Sequence, residues 1–184
     1  MTTFILVDSF NMYHRAKHVA MRGASIDMKI GMAYHIMLSS VKLCYNKFNA
    51  DHAVFCLEGR SWRKDFYEPY KKNRQVARMA KSVREQEEDQ IMYQSYDDMI
   101  TFLDEKTNVT LLQNPEAEAD DMIATWIQQH PEDNHYIIST DSDFYQLIEK
   151  RDIWDSMLRN PLTLGFNENL LEISNQRFLA KNDN

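Results

Sequence analysis

An α/β fold with a mostly parallel central sheet flanked by helices is predicted by three observations. Four short apolar runs, Phe4-Ile5-Leu6-Val7, Ala53-Val54-Phe55-Cys56-Leu57, Val109-Thr110-Leu111-Leu112 and Tyr136-Ile137-Ile138-Ser139, alternate with longer stretches of helical period, the pattern of βαβ units. Acidic residues follow each run: Asp8, Glu58, the trio Glu118, Asp120 and Asp121, and the pair Asp141 and Asp143. Glycine is scarce, with four in all, and neither a P-loop nor a GxGxxG pattern occurs, which argues against the nucleotide-cofactor branch of α/β proteins.

The elements follow in order. After the first strand, Ile30, Tyr34, Met37, Leu38, Val41 and Phe48 share one face and predict a helix over 29–48. A basic stretch follows the second strand, and then Met92, Tyr96, Met99, Ile100 and Leu103 recur at helical spacing. After the third strand, Ala119, Met122, Ile123 and Trp126 mark a helix facing the sheet; after the fourth, Phe144, Leu147 and Ile148 mark a shorter one. A fifth strand is expected near Ile153-Trp154, and Ala180 to Asn184 reads as a frayed tail. Most of the eleven methionines fall on apolar positions, where core filling is the expected role.

At 184 residues the chain fits a single domain, 1–184, with a full core. No apolar run is long enough to span a bilayer and no signal peptide is visible. Cys44 and Cys56 sit in apolar patterns outside any CxxC or Cys/His cluster, so buried reduced thiols are expected and a zinc site is not. The default compartment is cytoplasmic.

In open α/β sheets, sites form outside the carboxyl ends of the strands. The seven acids would converge there and repel one another. Helix capping could explain Glu118, Asp120, Asp121 and Asp143 one at a time, but acids at four strand ends together point to a shared cation site. Oxygen-only ligands suit Mg²⁺ or Mn²⁺. The net charge of −7 argues at first against a nucleic-acid partner, but its distribution reverses this. Between Arg60 and Arg84 nine basic residues face only Asp65 and Glu68, giving +7 there and −14 elsewhere. Trp62, Phe66, Tyr67 and Tyr70 are interleaved with them, a combination suited to phosphates and unstacked bases. A solvated charged helix is the plainer alternative for 74–84.

Four motifs in order now become specific: Ile5-Leu6-Val7-Asp8-Ser9-Phe10-Asn11, Tyr67-Glu68-Pro69-Tyr70-Lys71-Lys72-Asn73-Arg74, Glu118-Ala119-Asp120-Asp121 and Ile138-Ser139-Thr140-Asp141-Ser142-Asp143. Over about residues 4–150 the chain resembles the 5′→3′ exonuclease and flap endonuclease family, particularly the compact bacteriophage enzymes and the N-terminal nuclease domain of bacterial DNA polymerase I. Residues 151–184 stay unassigned. The resemblance implies a three-layer PIN-like fold and a nuclease that cuts 5′ flaps and degrades nicked or gapped DNA with two divalent ions, Mg²⁺ or Mn²⁺, in replication, recombination or repair. It implies that Asp8, Glu58, Glu118, Asp120 and Asp121 surround the first metal and that Asp141 and Asp143 hold the second. Lys71 would meet the scissile phosphate, with Arg74 one turn along. Arg15 and Arg63 would be phosphate contacts, and Lys72, Arg78, Lys81 and Arg84 would extend the nucleic-acid surface. Tyr13 would stack on a terminal base or else pack in the core.

Three departures bear on these expectations. Glu58 stands where the family has Asp in a Phe-Asp-Gly pattern, and Ser9 replaces the glycine after the first Asp, tightening a turn. Residues 161–184 show nothing like the family's helix–hairpin–helix segment, so a weak, substrate-dependent second metal and a poor grip on duplex DNA are expected. A PIN-like ribonuclease removing RNA primers or cutting structured RNA, and a non-catalytic binder of nucleic acid or protein, are the alternatives; the expected partners are DNA with 5′ ends, flaps or nicks, or an RNA–DNA hybrid, and a replication or single-strand-binding protein. The stretch 74–84 is expected to form an arch, poorly ordered without nucleic acid because it lacks an apolar stripe.

Overall fold

The computed structural model describes residues 1–20, 25–147 and 154–155. Five strands form one parallel sheet: β1 (Thr3–Asp8), β2 (His52–Cys56), β3 (Thr110–Leu112), β4 (Asn134–Ser139) and β5 (Trp154–Asp155), in the order β3-β2-β1-β4-β5. The four expected strands form, and β5 falls where a fifth is expected. In register, Asp8 lies opposite Cys56 of β2, and Val7 lies opposite Ile138 of β4. The carboxyl ends of β1, β2 and β4 therefore come level, and the loops that leave them share one edge.

Alternation along the strands makes the layers. Ile5, Val7, Phe55 and Ile138 point into a core built with α1 (Ser9–Ala20), α2 (Ile26–Lys47) and α5 (Val83–Lys106). Leu6, Val54, Cys56 and Ile137 point the other way, against Ala119 and Ile123 of α6 (Ala119–Gln129) and Phe144 of a 3₁₀ helix, Ser142–Leu147. That is helix, sheet, helix. The bridging pieces are one turn, α3 (Arg63–Phe66), and α4 (Lys72–Met79).

Helix α1 escapes the apolar count because its buried stripe, Ser9, Met12, Tyr13, Ala16 and Lys17, contains a serine and a lysine. Helix α2 starts at Ile26, three residues before the expected start at 29, because the Ser25 hydroxyl accepts from the Met28 amide at 3.4 Å. Helix α5 opens on a capping box between Ser82 and Glu85. The short helix after β4 is 3₁₀ rather than α. Met12, Met37, Met92 and Met99 fill the core, whereas Met28, Met32 and Met79 are exposed. Cys44 and Cys56 are buried and free. No described helix is long and apolar enough to cross a membrane. Ile148, Ile153, the unassigned segment from Pro161 and the tail from Ala180 lie outside the described residues.

Candidate active site

Asp8 ends β1 at 8% exposure. Its Oδ2 accepts from the Ser139 hydroxyl at 2.8 Å and its Oδ1 from the Asn11 amide at 3.4 Å. Burial pushes this carboxyl up to about 7, and the negative charges of Glu58 and Asp141 add to the shift against those two donors. Ser9, expected only to tighten a turn, is buried and bridges elements: its hydroxyl donates to the Cys56 carbonyl at 2.7 Å and lies 2.8 Å from the Tyr96 hydroxyl of α5.

The loops after β2 and β3 are zipped together. Gly59 and Arg60 donate backbone hydrogen bonds to Ala117 at 3.0 Å and Pro115 at 2.8 Å. A Cβ on Gly59 would lie 2.0 Å from the Asn114 carbonyl oxygen, so only glycine fits this approach. The approach brings Glu58 to the N-terminus of α6, where its Oε2 accepts from the Ala119 amide at 2.9 Å. Burial, then the nearby Glu118 and Asp120, hold Glu58 above the usual carboxylate range against the Ala119 amide and Lys71.

Glu118 is the most tightly held acid. It caps α6 at 4% exposure and takes hydrogen bonds from Ser61 Oγ at 2.9 Å, Arg63 Nη1 at 2.9 Å, Tyr70 OH at 3.0 Å and the Lys71 ammonium. Burial works to raise its pKa, but Lys71, Ser61 and Tyr70 outweigh it and hold the carboxyl below its ordinary value. Asp121 is likewise lowered against burial, mainly by Arg63, whose guanidinium reaches both its oxygens at 2.9 and 2.8 Å. Asp120 differs: burial and then Asp121 raise it, and Arg63 is 3.9 Å away. One oxygen from each of Glu118, Asp120 and Asp121 lies within 4.8 Å of the others.

A cleft of about 990 Å³ gathers most of the expected residues. Asp8, Glu58, Glu118, Asp120 and Asp141 form its acidic side. Lys71, Arg74, Arg78 and Lys81 form a cationic roof on α4 and its two ends, and Arg15 of α1 lies farther along. Lys71 adopts left-handed backbone geometry, φ 57°, at the start of α4, uncommon for a residue with a Cβ and frequent at functional sites.

Other expected residues stand apart from the cleft lining. Asp143 is exposed, and its amide donates to Asp141 Oδ1 at 3.0 Å. Asp121 and Arg63 are engaged with each other beside the cleft, so Arg63 is spent on carboxylates in this structure. Lys72 pairs with Glu68 at 3.0 Å and Arg84 with Glu88 at 3.4 Å, both largely in solvent. Tyr13 is in the core, 1% exposed, with its hydroxyl on the Met92 carbonyl at 2.9 Å and Ser95 Oγ at 2.6 Å; it has no face for a base. The rings lining the cleft are Phe10 and Tyr93, stacked at 5.9 Å, and the imidazoles of His14 and His18. Apolar patterning and motif order single out none of these rings, nor Ser61 and Tyr70 as Glu118 donors; the position of Tyr70 beside Lys71 is the one signal the sequence offers. The stretch 74–84, expected to be poorly ordered, holds the end of α4, a turn over 80–82 and the start of α5; Val76 and Met79 on α4 are exposed.

Sheet order and site together define an α/β protein whose acidic cleft lies at the carboxyl ends of its parallel strands. The family model for the 5′-3′ exonuclease N-terminal resolvase-like domain matches residues 3–180, and the chain belongs to that family. It is 28% identical over 186 residues to the flap endonuclease Xni of Shewanella woodyi, covering 97% of this chain and 66% of that protein. Its fold is similar to the 5′-exonuclease of bacteriophage T5 with zinc bound, at TM-score 0.70 and 21% identity, covering 86% of this chain and 56% of that one. It is also similar to the T5 flap endonuclease in complex with DNA and metal ions, at TM-score 0.66 and 20% identity over the same shares. The chain thus spans about two-thirds of the curated relative and little over half of the T5 protein.

Proposed function

We propose that residues 1–184 act as one PIN-like nuclease domain, a divalent-metal-dependent 5′-3′ exonuclease and flap endonuclease that hydrolyses DNA at 5′ ends, flaps or nicks in replication, recombination or repair. The observation that carries this is the cleft itself, lined by five carboxylates together with Lys71, Arg74 and Arg78. The acid wall fits hard cations. Its donors are oxygens, Glu118 and Asp120 lie with the adjacent Asp121 within 4.8 Å of one another, and burial with neighbouring acids holds Asp8 and Asp120 above the ordinary carboxylate range. Mg²⁺ or Mn²⁺, two ions in all, is the proposed cofactor, with Asp8, Glu58, Glu118 and Asp120 toward the first and Asp141, helped by Asp143, toward the second. Bound there, they would supply a hydroxide nucleophile at neutral pH and neutralise charge on the oxygens of an in-line displacement.

The chain's own residues do the rest. Lys71, now paired with Glu118, is within reach of a phosphate seated on the acid wall and would stabilise charge developing on it. Arg74 and Arg78, which pair with no described acid, would bind the neighbouring phosphates. Arg63 would hold Asp121 and Glu118 in place rather than meet the substrate. The test is Asp141→Asn on a labelled 5′-flap DNA in saturating Mg²⁺: near-complete loss of cleavage with an unchanged circular dichroism spectrum is expected. Wild-type turnover would remove Asp141 and the second ion from the mechanism.

A further inference from the structure

Helix α4 has no buried side chain among those described from Lys72 to Ala80. Hydrophobic packing therefore does not hold it over the cleft, and its position depends on its two ends. At the first end Lys71 is paired with Glu118. At the other, Lys81 Nζ lies 2.5 Å from Asp89 Oδ2, while Asp89 Oδ1 lies 2.5 Å from Lys17 Nζ.

Lys17 is the unusual member. It sits at 2% exposure in α1, among Met12, Tyr13 and Ala16 of the core, and a buried ammonium is costly unless paired. Its Nζ also lies 4.8 Å from the centre of the Tyr93 ring. Asp89 is itself 9% exposed and stands near the start of α5. The turn between α4 and α5 is fixed by the Ser82–Glu85 capping box and by Gln86 Nε2 donating to the Lys81 carbonyl at 2.9 Å. One carboxylate thus joins an exposed helix to a buried one through two cations.

We propose that Asp89 is a positioning residue: it anchors the far end of α4 over the cleft by holding Lys81 of the roof and Lys17 of the buried helix α1 on a single carboxylate. Arg78 lies one turn before Lys81 on the same face, so the anchor also sets where that guanidinium meets a phosphate. The anchoring is independent of the activity; its effect on substrate rests on the nuclease reading above.

The experiment is hydrogen exchange by mass spectrometry on the full chain, with Michaelis–Menten kinetics on a 5′-flap DNA in Mg²⁺. Lys81→Met leaves the Lys17–Asp89 pair intact and should fold. It is expected to speed exchange at least about tenfold across 72–82 while β1 and β4 stay unchanged, and Lys81→Arg is expected to restore protection. Because Lys71 stays held by Glu118, KM should rise about tenfold with kcat within about threefold of wild type. Lys17→Met/Asp89→Asn removes the anchor without leaving a buried unpaired charge or changing a cleft cation, and should raise KM by a similar factor. Unchanged exchange across 72–82 in both variants, or exchange raised equally in β1 and β4, would overturn the anchor. A loosened α4 in a protein that cleaves none of the DNA substrates even as wild type would leave the anchor standing and sink the nuclease reading instead.

Discussion

Asp8 has a consequence for stability at the scale of one residue. Its folded-state pKa, about 7, lies above its ordinary value of 3.8, so the folded chain binds the extra proton between those two values. The metal-free fold is therefore most favoured at low pH by this group and loses that contribution as pH rises from about 4 toward 7. Asp8→Asn is expected to raise the melting temperature of the metal-free protein at pH 8 by at least about 2–4 °C, the equivalent of about 1 kcal/mol in a chain of this size, and to abolish cleavage. A lower melting temperature would show that the carboxylate is not destabilised by its surroundings. Lys71→Ala should slow kcat on the order of 10²–10³-fold, and a loss below about threefold would remove Lys71 from the reaction. Gly59→Ala would drive a methyl into the Asn114 carbonyl and part the loops carrying Glu58 and Glu118, so weaker Mn²⁺ binding by calorimetry is expected. Asp8, Glu58, Glu118, Asp120, Asp141, Lys71 and Arg74, which line the cleft, could be named from residue type and motif order, whereas Asp121 and Asp143 were named with them but stand outside its lining. Arg63 could be named but not placed, since only three-dimensional geometry reveals that Asp121 and Glu118 already occupy it.

Among the elements, strands and long helices were legible because apolar periodicity follows burial. Helix α1 was hidden by buried polar residues whose partners lie far along the chain, Lys17 with Asp89 and Ser9 with Tyr96. Helix α4 was readable as a basic stretch, but its formation depends on its ends: the left-handed Lys71 at one and the Lys81–Asp89 pair at the other. Its outer face presents Val76 and Met79 to solvent while Arg74, Ala77, Arg78 and Lys81 share the cleft side. Removing one phosphate-binding cation from that side should flatten the salt dependence of binding to single-stranded DNA by about 0.7 in the log–log slope. Arg74→Gln/Arg78→Gln is thus expected to lower it by about 1.4 units, whereas Lys72→Gln/Arg84→Gln, whose charges pair with Glu68 and Glu88 in solvent, should change it little. Equal changes in the two pairs would mean that the cleft side has no privileged role in holding phosphates.

At the scale of the whole molecule, a parallel sheet delivers its acids to one edge and the long β2–β3 connection crosses back over them as a cationic roof. The net charge of −7 is compatible with the proposed nucleic-acid binding because the cleft is lined by Lys71, Arg74, Arg78 and Lys81 as well as by acids that the proposed cations would neutralise. The measurement that tests this most directly follows a 5′-flap DNA, labelled at either end, through incubation with the wild-type chain in Mg²⁺, Mn²⁺ or EDTA, beside nicked duplex and RNA–DNA hybrid. The expected result is metal-dependent release of 5′-terminal products from the flap, suppressed by EDTA and by Asp120→Asn. Undiminished cleavage in EDTA, or no cleavage of any of the three substrates in either metal, would contradict it.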